Sequence, residues 1–149
     1  MGDATHNYLR FRVGPQWFGV AVEDVIEVLQ FMMLTEPPGL PPGLLGILTL
    51  RDLVVPVVDL RLRFGLDDAP LTLTTPIIVT QTARGPLGMV VDDADDILHI
   101  EAVQISPAEE SLSPFVAEVA RCPGYLLLLL DPSTVSPQAQ AACAELAEE

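Results

Sequence analysis

His6, His99, Cys122 and Cys143 are the side chains of this chain best suited to proton transfer, nucleophilic attack or metal binding. Their surroundings support none of these. A histidine base needs a nucleophile within reach, and the sequence holds neither a GxSxG elbow nor a His-Glu-x-x-His helix. The two cysteines lack the spacing of a metal site and are too few for a disulfide framework, so both are read as free thiols. Asp92-Asp93-Ala94-Asp95-Asp96 has the charge for a cation. Calcium loops, however, spread their oxygens over about twelve residues around a glycine, and this run does neither. It reads as a solvated acidic turn. Gly85-Pro86-Leu87-Gly88 lacks the third glycine and the following helix of a phosphate-binding loop. The expectation is no enzyme, no cofactor and no metal.

One charged pair remains. Arg51 and Asp52 are the only polar residues between two apolar runs, Leu44–Leu50 and Leu53–Val58. Glu27 lies between Ile26 and Val28, where a carboxylate usually seeks a partner, and Arg51 is the cation at hand. The plainer alternative is an ordinary exposed glutamate. What these residues can do is binding rather than reaction.

The elements that carry them are short. Runs of Leu, Ile and Val of this length suit strands buried on both faces, and Arg51-Asp52 has the length of a hairpin loop. Pro56 cannot donate to a ladder, so the second strand is expected at an edge or bulged there. Tyr8–Val13 alternates as a half-buried strand; Gly14-Pro15-Gln16 turns the chain into a partner at Trp17–Val22. Val25, Val28 and Leu29 recur at helical spacing, which predicts a short helix over Glu23–Phe31. Glu36–Gly43, with four prolines, is a stiff loop, and Arg61–Pro76 a polar linker. Tyr125–Leu130, apolar on both faces, belongs mid-sheet. Ser136-Pro137 opens a terminal helix over 137–148, with Ala139, Ala142, Cys143 and Leu146 as its apolar stripe.

The chain repeats itself. Phe18–Asp24 matches Leu87–Asp93 at an offset of 69, and Val57–Leu60 matches Leu129–Pro132 at an offset of 72, which sets Asp52 against Gly124. Each half reads as strand, strand, short helical segment, strand, strand. The expected fold is all-β with short helices: two pseudo-symmetric small barrels packed side by side. The division is 8–65 for the first, 76–132 for the second and 133–149 for the helical end, all within a single domain over 1–149. Whether strands are exchanged between the halves stays open.

With a net charge of −14, nucleic acid is excluded as a partner. Residues 1–65 carry five arginines against seven acids, and 66–149 carry two against fourteen, so an acidic partner would approach the first half. No apolar run nears the roughly 20 residues of a membrane helix, and no secretory signal is visible, which leaves the cytoplasm.

The segments YLRFRVGPQWFGVAVEDVIEVL, PPGLLGILTLRDLVVPVVDLRLRFG and PLGMVVDDADDILHI, in that order between about Tyr8 and Pro132, resemble CheW, the coupling protein of bacterial chemosensory arrays. The regulatory domain of the kinase CheA shares the pattern, but this chain carries no kinase modules and reads as a free-standing adaptor. The resemblance implies two five-stranded barrels. It implies a non-enzymatic scaffold that ties the tip of a methyl-accepting chemoreceptor, lying in the groove between the barrels, to the regulatory domain of a histidine autokinase. Kinase domains would pack against barrel ends and build rings. By motif position, Glu27 and Arg51 fall on the family's paired glutamate and arginine near the receptor surface. Val25, Gly46 and Ile47 fall on positions lining that region, and Gly88 and Met89 on the barrel end offered to the kinase.

Asp52 departs from the glycine that the family places after this arginine. It sets a side chain where a positive φ is expected and a carboxylate beside Arg51 that would compete with Glu27. The alternative function is therefore a decoy or specialised adaptor, for example of a pilus system, that binds the kinase but not a receptor. A pair of small-ligand-binding barrels is the rival from another class. It would need convergent polar and aromatic groups, for which only Tyr8, Trp17 and Tyr125 are available.

Overall fold

Strand β1 (Thr5–Val13) turns at Gly14 into β2 (Gln16–Ala21), Tyr8 standing opposite Ala21 and Val13 opposite Gln16. The computed structural model describes residues 5–40, 43–66, 70–109 and 113–147, so the proline loop and the linker fall partly outside it. The helix expected over Glu23–Phe31 is not there. A 3₁₀ turn at Val22–Asp24 leads into strand β3 (Val25–Gln30), which pairs antiparallel with Pro76–Thr82. Two physical reasons decide it. β-branched Val25, Ile26 and Val28 lose side-chain freedom in a helix, and a helix this short is marginal without help. The strand's register also slips between Val25 and Glu27. That slip breaks the two-residue period and leaves a spacing that imitates a helix.

The rest follows the apolar pattern. β4 (Leu44–Leu50) and β5 (Leu53–Asp59) form the expected hairpin about Arg51-Asp52, and α1 (Leu60–Arg63) is one turn inside the expected linker. After β6 (Pro76–Thr82) come β7 (Gly85–Val90), β8 (Asp93–Glu101), β9 (Ile105–Pro107), β10 (Val116–Cys122) and β11 (Tyr125–Leu130). Helix α2 (Pro137–Ala147) closes the chain, the Gln140 amide donating to the Ser136 carbonyl at 3.1 Å.

The strands form two sheets, in the order β8-β1-β2-β11-β10-β9 and β3-β6-β7-β5-β4. One sheet therefore has six strands where five were expected, because the short β9 adds to β10. The repeat maps β1, β2 and β3 onto β6, β7 and β8, and β4 and β5 onto β10 and β11. Each sheet combines the first two strands of one copy (β1 and β2, or β6 and β7) with the later strands of the other. Parallel pairings, β2 with β11 and β5 with β7, stitch the copies together.

Each sheet curls around its own apolar filling. Leu48, Val55, Val57, Ile77, Val79 and Val90 fill one, and Tyr8, Ile100, Ala120, Leu127 and Leu129 the other. Between them lies a third core of Phe11, Phe18, Val58, Leu60, Ile78 and Met89, roofed by Val135 and Ala139. β5 is an interior strand, not the edge that Pro56 suggested. Pro56 stands opposite Ile47, whose own N–H and C=O turn away to Thr35 at 2.7 and 2.9 Å. The Ile47–Pro56 pair is therefore a non-hydrogen-bonded one, and the missing N–H costs the β4–β5 ladder nothing. The register slip lies nearby, between Leu44 and Gly46 on β4.

Cys143 on α2 is 3% exposed and Cys122 is half-buried. Burial pushes the Cys143 thiol up from its usual range, so little of it is thiolate. Under native conditions at pH 8, a maleimide is expected to label Cys122 at least tenfold faster than Cys143, with the two rates converging in urea. Mass mapping of the labelled peptides checks this.

Candidate functional site

Glu27 and Arg51 come together. Glu27 lies on β3 and Arg51 just past β4, the two end strands of the five-stranded sheet. The sheet curls far enough for the Arg51 guanidinium to donate to a Glu27 carboxylate oxygen at 3.4 Å. The pair thus bridges two edges that do not hydrogen-bond to each other. Arg51 is 74% exposed and Glu27 36%, so water weakens their attraction to roughly 0–1 kcal/mol. An arginine this exposed is available to another molecule. The positive φ expected after the arginine falls on Arg51 itself, at 56°. Among the described residues the carboxylate paired with Arg51 is that of Glu27, not of Asp52.

The other expected contact residues lie deeper. Val25 is half-buried against the core between the sheets. Gly46 is buried: a β-carbon there would stand 2.7 Å from the Leu34 β-carbon and 2.9 Å from the Thr35 carbonyl oxygen. Ile47 is 7% exposed beneath the same segment. These two seat the Leu34–Glu36 strap beside the ion pair and shape the site from below. Gly88 and Met89 are in the interior, Gly88 facing Val55, Val57 and Ile77, and Met89 fully buried between the sheets. Neither reaches the surface, so neither side of β7 offers them to a partner. The reason is that β7 is a central strand, flanked by β6 and β5. Val28, next to Glu27 in β3, and Met33, before the Leu34–Glu36 strap, are exposed apolar side chains, at 43% and 95%.

Two clusters escaped the sequence reading. Arg61 is buried and forks onto Asp59 through Nε at 3.0 Å and Nη2 at 2.9 Å. Its Nη1 reaches Asp92 at 3.4 Å, and Asp92 accepts the Gly14 N–H at 2.6 Å. Asp59 also accepts the Arg61 N–H, capping α1. One guanidinium so ties α1 to the β1–β2 turn, and the Asp59 hydrogen bond raises its pKa further. The second cluster is Arg10, which donates to Tyr125 at 3.0 Å, pairs with Asp95 and lies 4.4 Å from the Trp17 ring centre. The acidic run is strand rather than turn, with Asp93, Asp95 and Asp96 exposed as expected. Asp92 and Asp95 are spoken for, and Asp93–Asp96 belong to β8. A recurring Asp59 and Asp131 at the ends of the repeated strands was the one legible signal: Asp131 caps the second copy, with Ser133 where Arg61 stands in the first.

Among the described residues no three His, Cys, Asp or Glu side chains converge on a metal position. Two of the three aromatics that a ligand pocket would need, Trp17 and Tyr125, are held by Arg10. A cleft of about 770 Å³ beside the start of α2 is lined by Val58, Leu62, Arg63 and Pro137, with no aromatic among the described residues that line it. No helix among the described residues is long and apolar enough to cross a membrane.

Comparison with known proteins matches residues 7–140 to the CheW-like domain. The chain is 35% identical to the probable chemotaxis protein CheW of Rhizobium etli, over 81% of this chain and 78% of that one. It is 33% identical to the chemotaxis protein CheW of Rhizobium meliloti, covering 87% and 86%. In three dimensions it is similar to the scaffolding protein TtCheW of Thermoanaerobacter tengcongensis, with a TM-score of 0.79 at 24% identity, over 86% of this chain and 90% of the other. That likeness bears on the fold.

Proposed function

This chain belongs to the CheW family, the adaptor scaffolds of chemosensory signalling, and from that premise we propose that it couples a methyl-accepting chemoreceptor tip to the regulatory domain of a histidine autokinase in the cytoplasm, with no catalysis of its own. The observation that carries the receptor side is the Arg51–Glu27 pair, exposed and bridging two sheet edges. A coiled-coil tip lying in the groove presents carboxylates and carbonyls that can take over an arginine held this weakly. Val25, Gly46 and Ile47 serve that contact by fixing the surface beneath it. In this reading the exposed apolar side chains of Val28 and Met33, near Glu27 in sequence, add contact area, and the charged anchor carries most of the binding.

The kinase contact in this reading uses a barrel end, and alternation with kinase domains builds rings. Gly88 and Met89 support that end from inside. Coupling is mechanical: two partners held on one stiff frame bias each other's equilibria by what each contact gains in one state over the other. Arg51→Ala is expected to weaken binding of a soluble chemoreceptor-tip fragment by roughly tenfold or more, about 1.4 kcal/mol, with the circular dichroism spectrum unchanged. Titration calorimetry measures it; parental affinity in this variant sinks the assignment of the receptor contact to Arg51.

A further inference from the structure

Tyr8 is the aromatic that Arg10 does not hold, and it opens on a cleft of its own. It stands opposite Ala21, the last residue of β2, and the 3₁₀ turn at Val22–Asp24 brings Glu23 to the same place. The cleft measures about 300 Å³ and is lined by His6, Asn7, Tyr8, Ala21, Val22 and Glu23. Tyr8 is 9% exposed, and its hydroxyl has no hydrogen-bond partner among the described residues. Burial, and the charges of Glu118 and Glu23, push the phenol above its usual pKa, so two carboxylates stand near it. Burial, Glu23 and Asp131 raise the Asp24 carboxyl in the same way. Among the described residues the ion pairs engage Glu27, Asp59, Asp92 and Asp95, and leave Glu23, Asp24, Glu118 and Asp131 without a cation.

The repeat identifies what is missing. At the offset of 69 Glu23 matches Asp92; at the offset of 72 Asp131 matches Asp59 and Ser133 matches Arg61. In one copy the Arg61 guanidinium joins the two carboxylates. In the other both carboxylates remain and the guanidinium is gone, the Ser133 hydroxyl donating to Asp131 at 2.7 Å. We infer that the cleft beside Glu23 binds an organic cation, an alkylammonium or guanidinium group, which supplies from outside the charge that Arg61 supplies in the other copy. Glu23 meets the charge, the Tyr8 hydroxyl and neutral His6 accept N–H groups, and Ala21 and Val22 flank the alkyl part. No three metal-ligating side chains converge among the described residues, and the volume suits a small organic group. The phenol belongs to this copy only, because the offset of 69 puts the fully buried Ile77 in its place.

A free diamine and the lysine or arginine side chain of a partner share this chemistry. Titration calorimetry of the full chain in about 0.15 M salt, with putrescine, the capped amides of lysine and arginine, and butanediol, tests the site and separates the sources. At least one cation is expected to bind one to one, and uncharged butanediol not at all. Putrescine binding tightest assigns the cleft to a free diamine; a capped amide binding as well or better assigns it to a side chain. Tyr8→Phe and Glu23→Gln are each expected to weaken binding roughly tenfold, and Tyr8→Phe, losing a hydroxyl without a partner, to melt within about 2 °C of the parent. Ser133→Arg, which restores the guanidinium of the other copy, is expected to weaken it as much. No binding of any cation up to about 10 mM overturns the site. Parental affinity in either Tyr8→Phe or Glu23→Gln also overturns it, since the binding is then the diffuse attraction of a chain of net charge −14. Parental affinity in Ser133→Arg overturns the correspondence with Arg61.

Discussion

Arg61→Ala is expected to destabilise the protein by about 3–5 kcal/mol, lowering its melting temperature by on the order of 10 °C. The Asp59 and Arg61 side chains are 1% and 4% exposed and share a two-pronged hydrogen bond. Removing the guanidinium leaves the Asp59 carboxylate buried with only the α1 backbone N–H for a partner, and frees Asp92 from one of its two anchors. The loss therefore comes less from the attraction forgone than from the charge left behind. Adding Asp59→Asn to Arg61→Ala removes that charge, so the double variant is expected to regain part of the loss. Urea titration of the parent and both variants tests this. A loss below about 1 kcal/mol, or no recovery in the double variant, rules out the buried pair as a fastening of the fold.

Gly88→Asp is expected to prevent stable folding. An aspartate β-carbon at this position stands 3.2 Å from Val57, 3.3 Å from Ile77 and 3.5 Å from Val55, already tight contacts. Its carboxylate would then enter a barrel filled by Leu48, Val55, Val57, Ile77, Val79 and Val90. The cost of an unpaired charge in such a place exceeds about 4 kcal/mol, comparable with the roughly 5–15 kcal/mol that holds a domain together. Gly88→Ala, which adds only the β-carbon, is expected to cost about 1–3 kcal/mol and to remain folded. Loss of kinase binding in Gly88→Asp would thus report unfolding rather than a broken contact; Gly88→Ala is the variant that separates the two. A Gly88→Asp protein melting within a few degrees of the parent contradicts the burial.

These two residues show where sequence reasoning stops. Gly88 is legible as a strand glycine, and its motif position suggested an exposed barrel end; only the sheet order puts it between β6 and β5 with a side chain's worth of space missing. Arg61 sits two residues from Asp59 in plain view, yet in a segment read as a polar linker. Its partner Asp92 lies in a run read as solvated because acidic clusters usually are. The ion pair is the opposite case. Glu27 and Arg51 are singled out by their apolar surroundings, with an exposed glutamate as the alternative, and by the family resemblance, even though the element carrying Glu27 was taken for a helix. An apolar neighbourhood demands a partner for a charge in either secondary structure.

By itself the sequence determined the β class, the two copies, the hairpin about Arg51-Asp52 and the terminal helix, because alternation, turn residues and caps act between near neighbours. The tertiary structure alone decided that β3 is a strand, that the copies trade strands, and which charges are buried. Both copies carry equivalent strands of nearly the same pattern, so local chemistry cannot say whose β5 lies beside whose β2. That choice is made only when distant strands meet and a shared core closes between the two sheets.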